Sequence, residues 1–345
     1  MIKTGIAMSG GVDSSVAALL ILQNGYDALG VTMRAFEGAP ERDETDAAAV
    51  AQRLGFSHVT VDLCNEFRNT VMKYFVDSYI AGETPNPCVY CNKVIKFGAL
   101  FDRIKALGCD TIATGHYARI NKNDPSGRIL LERAVFTEKD QSYVLWQLSQ
   151  EQLRNSIFPL GGYTKPQVRE IAAENGFISS DRPDSQDICF VPDGCYREFI
   201  ENFAGKKFAE GEFIGTDGKH WGKHKGLIGY TVGQRKGLGI SAPSPLFVIR
   251  KSAEENRVYL GSHEELFSTH VNARDINLIA VEKIDSSLRV TAKTRYSQKE
   301  AAATVFQTGD GTMTVEFDEP QRAITPGQSL VLYSDDTVVG GGIIC

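Results

Sequence analysis

Strand-like and helix-like stretches alternate from Thr4 to Thr114. That rhythm confines this part of the chain to a parallel sheet with helices on both faces. Thr4–Met8, Ala28–Met33, His58–Leu63 and Thr111–Thr114 are short and apolar. Between them, Ser14–Gln23, Asp46–Leu54, Glu66–Ile80 and Asn92–Leu107 carry apolar residues at helical spacing. Gly25, Gly55 and Gly108 stand where three of these helices would stop. Ligands of such sheets bind at the carboxyl ends of the strands, where Ser9–Ser15, Met33 and Gly115 fall.

The first strand-to-helix junction reads Ser9-Gly10-Gly11-Val12-Asp13-Ser14-Ser15. Glycines allow a ligand close to the backbone, and the helix after them turns free N–H groups and a positive dipole end toward a bound anion. The junction reads as a phosphate cradle. It lacks the lysine and the spacing of the G-x-x-x-x-G-K-[ST] loop.

Beyond Thr114 the rhythm changes. Ala118–Ile120 and Ile129–Arg133 flank a polar turn and predict a hairpin, and Gln150–Asn155 and Pro166–Asn175 predict helices. From about Gly205 the chain is glycine-rich with short alternating apolar runs, which predict two small β-rich units, the last barrel-like. The expected domains are 1–204, bearing the hairpin and helical insertions, then 205–270 and 271–345. No leader segment is visible at Met1-Ile2-Lys3-Thr4, and no apolar run nears the ~20 residues of a membrane helix. The expected location is the cytoplasm, where the seven cysteines would be reduced, catalytic or metal-bound.

Two cysteines stand apart. Cys91 follows Thr84-Pro85-Asn86-Pro87-Cys88-Val89-Tyr90 and precedes Asn92 and Lys93, with Lys96 beyond. A helix N-terminus and two lysines would lower its thiol pKa. Cys189 sits in Asp184-Ser185-Gln186-Asp187-Ile188-Cys189-Phe190, after a polar loop. Residues 219–251 hold seven cations, Lys219, Lys223, Lys225, Arg235, Lys236, Arg250 and Lys251, and no Asp or Glu. In a chain of net charge −6 this is a local basic patch suited to phosphate contacts.

The junction at Ser9–Ser15 resembles the fingerprint of the PP-loop ATP pyrophosphatases, which split ATP between the α- and β-phosphates. Further motifs succeed it in order: Asn86-Pro87 with Cys91-Asn92 and Ile95-Lys96-Phe97, Gly115-His116-Tyr117, Lys139-Asp140-Gln141, Asp187–Phe190 and Tyr230–Leu238. Together they resemble the tRNA-specific 2-thiouridylases, the MnmA family, along the whole chain. The resemblance implies ATP-dependent 2-thiolation of uridine 34 in the tRNA anticodon, with adenylation of uracil O2 preceding sulfur transfer. It implies ATP on Ala7, Met8, Ser9, Gly10, Gly11, Val12, Asp13 and Ser14, with Met33 and Gly115 beside adenine or ribose and Mg²⁺ acting near Asp13. Cys91 matches the family nucleophile and Cys189 the persulfide carrier. Asn86, Pro87 and Cys88 match the segment that meets the target base. His116, Lys139, Asp140, Gln141, Arg295, Tyr296 and Gln328 match positions that touch tRNA, and Arg235 and Lys236 join them from the basic patch. The sulfur donor, a cysteine desulfurase, a relay protein or inorganic sulfide, is not legible.

One position departs from the expected pattern. Cys88 stands where many family members carry aspartate, which creates Cys88-x-x-Cys91. With Cys189, three thiolates could hold a [4Fe–4S] cluster, the rival of ordinary persulfide chemistry with Cys88 as a spectator. Zinc would need a fourth ligand that the spacing does not supply. Two other functions stay open from sequence: a PP-loop ligase that adenylates a small molecule, and a non-catalytic tRNA-binding or sulfur-carrier protein.

Overall fold

The computed structural model describes residues 2–177, 187–191 and 194–345. Strands β1 (Lys3–Ala7), β2 (Asp27–Arg34), β3 (Ser57–Asp62) and β4 (Thr111–Ala113) run parallel. A hairpin of β5 (Ala118–Asn121) and β6 (Leu130–Arg133) interrupts the alternation, after which β7 (Ser156–Ile157) returns to the sheet. The order β3-β2-β1-β4-β7 places β1 in the interior, with Ala7 beside Val31. Helix α1 (Val12–Gln23) is buried on nearly every side, from Val16 to Ile21. It packs on the sheet, on α2 (Glu41–Leu54) and on the helix Lys165–Glu174.

Two helices start five residues earlier than the apolar periodicity predicted. α2 begins at Glu41 rather than Asp46, because Glu41, Asp43 and Glu44 complement the positive end of the helix dipole without being apolar. The helix expected at Asn92 begins at Pro87, with Asn86 as its cap and proline at the first position, where its missing N–H costs nothing. It continues as a π-helical stretch, Asn92–Ala99, and then as Leu100–Ala106.

The predicted β-rich half is present. Strands β8 (Gly211–Gly215), β9 (His220–His224), β10 (Phe247–Ser252) and β11 (Arg257–Gly261) form a sheet ordered β10-β11-β8-β9. Strands β12 (Phe267–Leu278), β13 (Leu288–Lys293), β14 (Ala301–Gly309), β15 (Thr312–Arg322), β16 (Ser329–Ser334) and β17 (Thr337–Ile344) close into a barrel through the β12–β17 pairing. Its interior takes alternate residues, such as Val290 and Ala292, or Met313, Val315 and Phe317. The hairpin β5–β6 joins this sheet rather than the first one: β6 pairs with β17 at Thr337↔Glu132. Fully buried Trp146 lies where a Cβ on Gly341 would stand 2.8 Å from its ring, so the first domain and the barrel share packed surface.

Candidate active site

β1 delivers the chain into the glycine turn, whose conformation explains its sequence. Gly10 has φ +67°, and a Cβ there would lie 2.6 Å from the Asp43 carbonyl oxygen. Gly11 caps α1 in extended geometry with no side chain over the helix end. Two hydroxyls tie the turn together: Ser14 and Ser15 donate to the Gly11 carbonyl at 3.0 and 2.9 Å, and the Ser9 N–H donates to Ser14 Oγ at 3.2 Å. Gly115 arrives from the end of β4 so closely that a Cβ would stand 2.9 Å from the Asp13 carbonyl carbon and 3.0 Å from Ser14 N. Met33, half-buried at the end of β2, completes the set of expected nucleotide positions at the strand ends.

Asp13 has partners that sequence reasoning missed. Lys165 Nζ lies 2.9 Å from both of its carboxylate oxygens, and the Tyr117 hydroxyl donates to Oδ1 at 2.7 Å. Lys165 opens its own helix behind a Thr164–Gln167 capping box, and nothing local to it signals a partner 152 residues away. The Asp13 side chain remains 33% exposed, so it can still reach a ligand. A carboxylate beside hydroxyls is a donor set that suits Mg²⁺, and the free N–H groups of α1 suit phosphate.

The cysteines differ from expectation in one respect. Because the helix begins at Pro87, Cys88 occupies its first turn and Cys91 lies beyond it, where the dipole has faded. Cys91 packs half-buried against the main core. Burial pushes its thiol up to about 12, and Lys96 opposes the shift without overcoming it. The expected lowering is therefore overturned: lost hydration outweighs the nearby cation. Cys88 and Cys189 each present a face to solvent, yet the protein around them also raises both thiols. The three cysteines lie near enough for their charges to act on one another. Phe190 holds Cys189 in place, with its ring 5.5, 5.4 and 5.2 Å from those of Phe67, Phe75 and Phe199. Asp184, Ser185 and Gln186 of the same motif lie outside the described residues. No three His, Cys, Asp or Glu side chains among the described residues, Cys88, Cys91 and Cys189 included, converge as ligands of a metal ion.

The residues expected at RNA are placed unevenly. Arg235, Lys236, Lys139 and Tyr296 are exposed. His116 is only 8% exposed: its ring clusters with those of Phe97 and Phe158, 5.9 and 5.8 Å away, its Nδ1 is 2.7 Å from Thr114 Oγ1, and burial pushes its pKa well below the usual imidazole range. Asp140 ties a turn, accepting from the Ala134 and Ser142 N–H groups and the Ser142 hydroxyl. Gln141 Oε1 accepts from the Tyr117 N–H. Arg295 Nη2 donates to the Val232 and Ala323 carbonyls at 3.1 Å and to Thr325 Oγ1, joining the central unit to the barrel. Gln328 donates to the Thr84 carbonyl at 2.6 Å. No helix among the described residues is long and apolar enough to cross a membrane.

Known proteins resemble the chain over its full length. The family described as "tRNA methyl transferase HUP domain" matches residues 2–193, "tRNA methyl transferase PRC-barrel domain" matches 197–262, and "Aminomethyltransferase beta-barrel domain" matches 268–344. The tRNA-specific 2-thiouridylase MnmA of Clostridioides difficile (strain 630) is 46% identical over 352 residues, spanning 99% of this chain and 98% of that protein. The chain belongs to the MnmA family. Within that family, the Acetivibrio thermocellus 2-thiouridylase is 45% identical over 354 residues, covering 99% of both chains. The Heliobacterium modesticaldum 2-thiouridylase is 46% identical over 351 residues, covering 98% of this chain and 91% of its own. Membership agrees with the architecture: a parallel-sheet domain with a phosphate-type turn, then a β-rich unit and a closed barrel.

Proposed function

We propose that the chain makes 2-thiouridine at position 34 of tRNA. Uracil O2 is a poor leaving group. In the proposed reaction O2 attacks the α-phosphate of ATP, pyrophosphate departs, and AMP becomes the group that leaves C2. The glycine turn and the N-terminus of α1 hold the triphosphate, Lys165 and Asp13 flank it, and the close approach of Gly115 fixes the wall of the site. Asp13 would hold Mg²⁺, which would supply positive charge against the charge developing on the phosphates.

Sulfur arrives as a persulfide on Cys189, its outer sulfane sulfur transferred from the persulfide of a cysteine desulfurase or a relay protein, whose thiolate leaves; inorganic sulfide would instead bypass Cys189 and attack C2 directly. The terminal sulfur of the Cys189 persulfide displaces AMP at C2. The Cys91 thiolate then attacks the Cys189 sulfur, which leaves C2=S on the base and a Cys91–Cys189 disulfide that a thiol reductant reopens. Alternatively, Cys91 first releases sulfide from the persulfide, and sulfide attacks C2. No step is routed through iron. Asn86 and Pro87 lie beside Cys88 and Cys91, where a base turned out of the anticodon stack would enter.

The observation that supports this reading is that Cys91 and Cys189, far apart in sequence, come within electrostatic reach of each other in the same domain as a phosphate turn. The test supplies ATP, Mg²⁺, a sulfur source and unmodified tRNA, followed by nucleoside analysis. The parent chain yields 2-thiouridine together with AMP and pyrophosphate, and Cys91→Ala yields none. AMP formation that depends on a small acid and not on tRNA would instead identify a ligase.

A further inference from the structure

Just before Pro85, the chain is held by both β-rich units. The Glu83 carboxylate accepts from Arg274 Nη2, on β12, at 2.7 Å. The Glu83 carbonyl lies 3.4 Å from Lys251 Nζ, on β10, which also donates to the Tyr230 carbonyl at 2.8 Å. At Thr84 both backbone groups are engaged by the barrel: its N–H donates to the Pro326 carbonyl at 2.8 Å, and its carbonyl accepts from Gln328 Nε2 at 2.6 Å. Gly327 sits between these partners at φ +89°, where a Cβ would stand 2.9 Å from Glu83 Cβ and from Thr84 N. The clamp is at packing distance.

The segment from Pro85 to the helix start is stiff. Pro85 and Pro87 fix their own φ angles and restrict the residues before them, and both are buried. Asn86 Oδ1 accepts from the Cys88 N–H at 3.1 Å, fastening the loop to the start of the helix that carries Cys88 and Cys91. A link of this kind passes a displacement on instead of absorbing it.

We infer that Arg274 and Gln328 are positioning residues that couple the barrel to the reactive cysteines, so that what the barrel binds is felt at Cys88 and Cys91 through Glu83 and Thr84. The inference rests on the proposed role of Cys91 in sulfur transfer, and its test reads the thiols directly. The full-length chain is alkylated with iodoacetamide, with and without unmodified tRNA, and the rate at each cysteine is followed by mass spectrometry. The parent responds to tRNA at Cys88 or Cys91. Arg274→Met and Gln328→Met raise the Cys91 rate in the free chain by about tenfold, as the local opening equilibrium shifts, and remove the response to tRNA. Arg274→Lys, which keeps a cation opposite Glu83, restores both.

Far-UV circular dichroism checks the fold of each variant. If Arg274→Met does not fold, Gln328→Met, which loses a single hydrogen bond, decides the matter. Parent-like rates in the folded Met variants, or a parent indifferent to tRNA, overturn the coupling. Nucleoside analysis of the parent separates the two readings: absence of 2-thiouridine with the alkylation pattern intact removes the proposed function and leaves the coupling standing.

Discussion

Lys165 Nζ stands 2.9 Å from each carboxylate oxygen of Asp13, bridging the first turn of α1 and a helix that begins 152 residues later. The pair lies over the glycine turn with Tyr117 at its side. It keeps a cation stored where a triphosphate would arrive, and it compensates the Asp13 charge until then.

Lys165→Met lowers ATP-dependent pyrophosphate release by about 100-fold, the scale seen when a donor to developing charge is removed. Asp13→Asn does the same. The double variant is little worse than the poorer single one, because the two groups act as a unit. A coupled pyrophosphate assay checks all three.

The two glycines of the turn separate under substitution. Gly10→Ala meets both a φ of +67° and the Asp43 carbonyl, and it destabilises the fold by more than about 1 kcal/mol. Gly11→Ala has φ −85°, with its nearest neighbour, Ser9 Oγ, 3.5 Å away, and it changes stability by less than about 0.5 kcal/mol. Both weaken ATP binding. Urea unfolding and nucleotide titration read the two effects apart.

Cys91 titrates late. With its thiol pushed up to about 12 by burial, the thiolate fraction grows tenfold with each pH unit below that value. Alkylation of Cys91 therefore climbs about tenfold per unit between roughly pH 7 and 10 without levelling, whereas a free thiol of pKa about 8.5 levels off. Lys96→Met slows it throughout this range, since the lysine is what opposes burial. A plateau near pH 9 would show that burial does not govern this thiol.

These sites mark where the sequence was readable and where it was not. β1 and β2 were legible because strands buried on both faces read as unbroken apolar runs. Gly10 was legible because the turn demands it. The Pro87 helix start was hidden: its first turn holds no apolar period, and its prolines read as loop. Lys165 was invisible as a partner because its relationship to Asp13 is purely tertiary. Arg295 was expected at tRNA through resemblance alone, and its acceptors at Val232, Ala323 and Thr325 had no signal in the sequence because they are set by the docking of two units. For Cys91 the cation Lys96 was read correctly, but the helix start was misplaced, and the decisive influence, the core packed around the thiol, is not local.

Arg235 and Lys236 stand exposed on the central unit, where a polyanion can reach them. Replacing both with alanine makes the plot of log affinity for tRNA against log salt shallower by roughly 1.5, and weakens binding most at low salt. Fluorescence anisotropy at several salt concentrations measures it. An unchanged slope would place the RNA elsewhere.

Cys88 is the remaining test of the sulfur chemistry. Chain purified without oxygen carries no stoichiometric iron or sulfide and no absorption near about 400 nm, and Cys88→Ala keeps 2-thiouridine formation within about threefold. Iron bound in proportion to protein and lost in Cys88→Ala would replace the persulfide route with a cluster.

The hairpin β5–β6 has a consequence for how the molecule is made. Its partner strand, β17, comes off the ribosome long after it; Arg119 and Asp336, which meet at 3.0 Å, are 217 residues apart. During that interval the nascent first domain carries an unpaired strand edge, the kind of surface that recruits other chains. Synthesis of the barrel thus ends a period of exposure to aggregation, and a chain truncated before β17 would leave that edge open for good.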